Sequence, residues 1–88
     1  MISNNYAVST TRSLILTKAP ANRTIYLHVL GAGTVYLGGS DVTSSNGLLT
    51  EKNAVPQIIV IPSNEELWAV TASGTENVRI MRPSSDGN

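Results

Sequence analysis

The stretch Gln57-Ile58-Ile59-Val60-Ile61 decides how this chain folds. Four consecutive β-branched residues favour extended backbone. Pro56 on one side and Pro62 on the other confine the run to a short strand. In a strand, Ile58 and Val60 face one way and Ile59 and Ile61 the other. Both faces are therefore apolar, whereas a strand of a small two-layer sandwich ordinarily turns one face to water. The composition of this strand predicts that its outer face is covered by another chain.

Working outward, Arg23 to Leu30 alternates with period two. Ile25, Leu27 and Val29 share one face, and Thr24, Tyr26, His28 and Leu30 the other. A turn cluster, Gly31-Ala32-Gly33, leads into Thr34-Val35-Tyr36-Leu37-Gly38, and two alternating runs around such a turn read as a β-hairpin. Asp41 to Thr50 reads as a loop across the end of a sheet, with Asn46-Gly47 supplying positive φ. Further strands are expected at Ser13–Thr17, Glu65–Thr71 and Thr75–Arg82, the last stopped by Pro83. Asn64-Glu65-Glu66-Leu67 could open a helix, but β-branched residues and Gly74 follow, so at most one turn forms. Val29–Thr34 and Val70–Thr75 resemble each other, which fits convergence of turns on small residues. Six to eight short strands at close spacing predict an all-β fold, a small antiparallel β-sandwich of jelly-roll-like form. The expected organisation is an N-terminal arm over residues 1–11, a sandwich over 12–82 and a polar tail over 83–88.

Composition excludes several classes of function. The chain has 88 residues, six Lys plus Arg against six Asp plus Glu, and no net charge. A nucleic-acid binder needs a basic surface to displace counterions, and so does a polybasic membrane-surface protein. Charged residues make up only 14% of the chain, so Ser, Thr and Asn must supply most of the polar surface. Such a surface suits packing against protein. There is no cysteine, hence no disulfide framework or thiolate chemistry. No run is long enough to span a membrane, and Met1–Thr11 lacks the basic and apolar regions of a signal peptide. A domain this small, without disulfides or an evident metal cluster, is expected to gain stability from partner subunits.

No constellation predicts catalysis, and the chain is expected not to be an enzyme or to carry a cofactor. His28 is the single histidine, and no acid or second histidine stands at ligand spacing from it. Ser40 in Gly38-Gly39-Ser40-Asp41 lacks the glycine that closes a nucleophile elbow. Glu65 and Glu66 are adjacent, so in a strand they would point apart rather than oppose each other across a cleft. The glycine clusters precede no helix and cannot cradle phosphate. Asp41 and Asn46 lack the alternating oxygen ligands of a calcium loop. Asn22-Arg23-Thr24 matches a glycosylation triplet, a short and unspecific pattern.

The aromatic residues are Tyr6, Tyr26, Tyr36 and Trp68, and tyrosine and tryptophan are enriched as anchors of protein interfaces. If Leu67 and Ala69 face the core, Trp68 and Val70 face out and need a partner; the opposite assignment removes that need. The run Gly33-Thr34-Val35-Tyr36-Leu37-Gly38-Gly39-Ser40-Asp41-Val42-Thr43-Ser44-Ser45-Asn46-Gly47, followed by an apolar strand and then Glu66-Leu67-Trp68-Ala69-Val70-Thr71-Ala72-Ser73-Gly74-Thr75-Glu76-Asn77-Val78-Arg79-Ile80, resembles a group of small virion proteins of tailed bacteriophages. The likeness spans about residues 23–82. It implies a compact sandwich on the particle, as a capsid decoration (cement) protein bound to the major capsid protein, commonly a homotrimer at three-fold positions. A head- or tail-fibre module that binds a receptor or glycan is the alternative it implies. Leu48–Pro56 and the tail beyond Arg82 depart from the pattern. Contacts are expected from Tyr26, His28, Trp68 and the strand Gln57–Ile61, with Gln57, Ile59 and Ile61 among them, and the N-terminal arm is expected to lie along a neighbouring subunit.

Overall fold

A computed structural model describes residues 2–31, 33–51 and 57–83. Those residues form eight strands and no helix: β1 Ile2–Val8, β2 Ser13–Leu16, β3 Arg23–Val29, β4 Thr34–Gly38, β5 Leu48–Glu51, β6 Gln57–Ile61, β7 Leu67–Thr71 and β8 Glu76–Arg82. They make two four-stranded sheets, ordered β1-β8-β3-β6 (sheet A) and β2-β7-β4-β5 (sheet B). Every pairing is antiparallel. The pairs β1·β8, β2·β7, β3·β6 and β4·β5 are the rungs of one long hairpin whose apex is the β4–β5 loop. Rolling that hairpin adds the contacts β3·β8 and β4·β7 and yields a jelly roll. The fold is thus the predicted sandwich, 16 Å through its shortest axis, as two sheets stacked about 10 Å apart require.

Three local expectations are corrected. The expected N-terminal arm is part of the sandwich over its described residues: Ile2–Val8 pairs along its whole length with β8, from Ile2 opposite Arg82 to Val8 opposite Glu76. The alternation Ile2, Asn4, Tyr6, Val8 turns one face of it towards the core, where Val8 is fully buried; a run rich in Ser and Asn hides that period. β3 and β4 are not a hairpin but lie in different sheets, so Gly31 and Gly33 turn a corner between layers. The segment Asp41–Thr50, expected to be a loop across a sheet end, divides instead: residues 39–47 join β4 and β5 within sheet B, and Leu48–Glu51 is a strand. Past Pro83, the polar tail lies outside the described residues, as does the 52–56 lead into β6.

Side-chain parity builds the core. Ile25, Leu27 and Val29 of β3, Val78 and Ile80 of β8, Val35 and Leu37 of β4, and Leu67 and Ala69 of β7 interlock between the sheets. Two arginines follow the same parity. Arg23 is buried beside Ile25 in sequence alternation, and its Nη2 donates to the carbonyls of Thr17 (2.8 Å) and Glu65 (3.1 Å). Arg82 continues Val78 and Ile80, and its Nε donates to Asn4 Oδ1 at 3.3 Å. Burying a guanidinium is costly unless its donors are satisfied, and strand-connecting carbonyls do part of that here.

The two similar segments of sequence are both inter-sheet corners, β3 to β4 and β7 to β8. They meet at one end of the sandwich. Leu30 N–H donates to Asn77 C=O at 3.0 Å, and the Glu76 side chain lies where a Cβ on Gly31 or Gly33 would stand. Gly47 is required for space rather than for positive φ. A Cβ there would come within 2.6 Å of Tyr36 Cβ and 2.8 Å of Val42 Cγ2. Among the described residues, left-handed backbone is found at Asn64 (φ 63°) and Gly74 (φ 70°). Asn64 sits in the turn before β7, where its N–H donates to Ala19 C=O at 2.7 Å.

Two substitutions test this packing by urea denaturation. Ile25→Ala removes a fully buried side chain and should cost about 2–5 kcal/mol. Gly47→Ala should cost about 1–3 kcal/mol by prising Val42 off the sheet, although position 47 is not in the core.

Candidate functional site

The register of β3 against β6 settles which face of the decisive strand is exposed. Ile59 stands opposite Ile25, and Ile61 opposite Arg23, so both belong to the inner face. Ile61 is 5% exposed and Ile59 packs against the core. Ile58 stands opposite Tyr26 and Val60 opposite Thr24, on the outer face. They remain 65% and 60% exposed. The expectation that Ile59 and Ile61 make outside contacts is therefore corrected: a strand has one outward parity, and Tyr26 and Thr24 assign it to Ile58 and Val60. Gln57 is half-buried, and its side-chain oxygen accepts a hydrogen bond from the Thr50 hydroxyl of β5. That contact ties the edge of one sheet to the edge of the other.

The outer face of sheet A gathers two of the remaining expected residues, Tyr26 and His28. Met81, Tyr26 and Ile58 are cross-strand neighbours in one row, with Ser3 at its polar end. Arg79 and His28 form the next row, with Asn5 beside Arg79. Val60 extends the apolar row along the β6 edge. Met81, Tyr26, Ile58 and Val60 together expose on the order of 400 Å², as large as the largest apolar patch of a typical monomer. A shallow groove beside them is lined by Ser3, Asn5, Tyr26, His28, Arg79 and Met81. No outward residue of sheet A is acidic: Ser3, Asn5, Ala7, Thr24, Asn77, Ile58 and Val60 are uncharged, and Arg79 supplies a cation. Asp41, Glu65 and Glu66 lie elsewhere, around a polar hollow with Lys18 and Asn64.

Trp68 does not join that face. Leu67 and Ala69 are core residues, which places Trp68 and Val70 on the outside of sheet B. Val70 finds its cover within the chain. The 39–47 loop folds back over the sheet, and Val42 settles above Gly38, whose missing Cβ would stand 2.9 Å from Val42 Cγ2. Val42 and Val70 are both buried. Trp68 is half-buried, between Leu14 of β2 and Gly38 of β4, and its Nε1 donates to Glu66 Oε1 at 3.1 Å. The loop is braced by Asn46, whose Oδ1 accepts from Thr43 N–H at 2.7 Å.

The open side of the sandwich is the feature that the sequence did not announce. Leu48 stands opposite the buried Leu37 and so has inward parity, yet it is 66% exposed. It lies at the lip between β5 and β6, beside Ile59, Ile61 and Leu37. Leu49, outward on sheet B, is 53% exposed. Among the described residues, the four most exposed large apolar side chains thus all belong to the two edge strands β5 and β6. The signal was present as the doublet Leu48-Leu49, which reads as loop without the strand that carries it.

Among the described residues, no group of three or more His, Cys, Asp or Glu side chains is placed to hold a metal ion, and no helix is long and apolar enough to cross a membrane. No protein-family model matches the chain, and no curated protein or solved structure is significantly similar to it.

The face assignment has a direct test. Ile58→Thr combined with Val60→Thr should leave unfolding free energy within about 1 kcal/mol while shortening retention on a hydrophobic-interaction column. Ile59→Thr, one position along and inward, should cost about 1–3 kcal/mol through a hydroxyl placed against the core.

Proposed function

We propose that this chain is a structural virion protein of a tailed bacteriophage, a decoration protein that adheres to the outside of the head and bridges neighbouring capsomers. The observation that carries the adhesive part is the outer face of sheet A: an acid-free surface with the apolar row Met81–Tyr26–Ile58, Val60 at its edge, and Arg79 beside it. The resemblance of residues 33–47 and 66–80 to small phage virion proteins supports a place on the particle, on the head or in a fibre. The low content of charge agrees with a surface meant to meet protein.

The partner is the major capsid protein, met by a patch of apolar residues with a positive margin. Tyr26 is a rigid amphipathic anchor of the kind that dominates protein interfaces. Arg79 pairs with acidic groups at the rim of the docking site, which steers encounter and fixes orientation. Binding to the assembled lattice and not to free subunits shifts the equilibrium towards the intact shell. The work of such a protein is mass action and geometry, with no chemical step.

A fibre module that grips a glycan is the second reading, and the groove of Tyr26, His28, Arg79 and Asn5 favours it: an aromatic ring flanked by hydrogen-bonding groups is a sugar platform. Immunogold labelling separates decoration of the head from a tail-fibre module, and loss of glycan binding on Tyr26→Ala would mark a fibre on the head. An antibody against the chain, applied to particles of the phage that encodes it, should decorate heads. Gold confined to tail tips would support the fibre reading, and unlabelled particles would overturn both. On isolated heads, Arg79→Glu should weaken rebinding of the purified chain by about tenfold or more while leaving its melting temperature unchanged.

A further inference from the structure

Each four-stranded sheet has two edges, and an unpaired edge offers its backbone N–H and C=O groups to any other strand. Three of the four edges here carry a protecting feature. β1 carries polar residues on its outer face, Ser3 and Asn5. β2 has four residues and a register shift between Leu14 and Leu16. β5 has four residues and ends in a charge, Glu51. β6 has none of these along its length, and its only such feature is the pair of prolines that flank it in sequence, Pro56 and Pro62. It is uncharged from Gln57 to Ile61, its ladder with β3 runs in unbroken register, and its outward side chains are apolar.

We propose that β6 is the pairing site for β6 of a second copy of this chain, antiparallel about a two-fold axis, so that two sheets A fuse into one continuous eight-stranded sheet. The strand is complementary to itself. With Ile59 on the axis, Ile58 lies opposite Val60 of the second copy, and Val60 opposite its Ile58. Both are β-branched cross-strand pairs on the outer face, of the kind that stabilises sheets. This register keeps outward residues opposite outward residues and engages all five positions. A slip by one residue sets outer side chains against inner ones. Alternate residues of β6 already turn their backbone groups away from β3, as an antiparallel ladder demands.

The alternative occupants fit less well. A ring of copies joined edge to edge through sheet A would bring β6 to β1, setting Ile58 and Val60 against Ser3 and Asn5. An arbitrary extended peptide would pair with the backbone but would not cover the lip. A second copy does both, because the two-fold axis brings the open β5–β6 sides together and encloses Leu48, the inward-facing residue that its own chain leaves exposed. Ile58, Val60 and Leu48 expose on the order of 350 Å² per copy, of which pairing covers Leu48 and the flanks of Ile58 and Val60, below the about 600 Å² per partner at the low end of stable interfaces. The expected dimer is accordingly reversible in the micromolar range. It stands on the edge geometry alone and holds wherever the protein acts, and it leaves Tyr26, Met81 and Arg79 of both copies on one broad face.

Sedimentation velocity of the full chain over a micromolar concentration series reads the stoichiometry. A monomer–dimer equilibrium is expected. Val60→Lys, which places an ammonium against Ile58 of the other copy on each side of the axis, should weaken it by about 100-fold or more. The monomer should keep its far-ultraviolet spectrum, since the side chain is exposed. Ser3→Lys on β1 should change nothing. Hydrogen exchange gives a second reading that needs no variant: amides of 57–61 should gain protection as concentration rises, while those of β1 do not. A monomer at all concentrations, a trimer, or a dimer that Val60→Lys leaves intact would overturn the inference. Each of those results leaves the labelling of heads or tails to be decided by its own experiment.

Discussion

The ladder between β3 and β6 is the contact on which the rest of this molecule turns. Ile25 opposite Ile59 and Tyr26 opposite Ile58 fix the parity of both strands at once. From there, each neighbour inherits its inward and outward residues: Ile80 pairs with Leu27 inside, and Met81 with Tyr26 outside. One consequence is a core of branched aliphatic residues with buried arginines at its margin. The other is an outer surface whose apolar row ends at a free strand edge. The same hydrogen-bond pattern that organises the interior therefore determines what the exterior offers.

The class of fold was legible because its signals are local. Runs such as Arg23–Leu30 and Gln57–Ile61 carry period two or unbroken β-branching, and Gly and Pro punctuate them. The wiring was less accessible. A turn of small residues such as Gly31 to Gly33 is equally suited to a hairpin and to a corner between layers. What separates them here is which strand Thr34–Gly38 meets, and that depends on residues far along the chain, Leu48–Glu51 and Leu67–Thr71. β1 was missed for a related reason. Ser3, Asn4 and Asn5 have little preference for strand in isolation, and it is the ladder with β8 that holds them extended.

The exposed site was half legible. The two apolar faces of Gln57–Ile61 foretold an exposed apolar row, and Tyr26 and His28 do share that outer face. Ile58 and Val60 rather than Ile59 and Ile61 form it, because nothing within five residues of near-identical character says which face is inner; only Ile25 and Tyr26 across the ladder do. Trp68 illustrates the opposite case. Its neighbour Val70 looked in need of an external partner, but the β4–β5 loop supplies Val42, and two glycines, Gly38 and Gly47, make the room. Small residues far apart in sequence thus replaced a subunit contact, which composition could not reveal.

The antiparallel match of Ile2 with Arg82 has a mechanical side. Tension applied between those two positions runs across the β1–β8 ladder, parallel to its hydrogen bonds, so the rungs open in succession and each bears the load alone. Tension carried between β3 and β6 along their common axis would instead strain all the rungs together. A load transmitted to this molecule from outside would be resisted or yielded to according to which of those directions its points of attachment select.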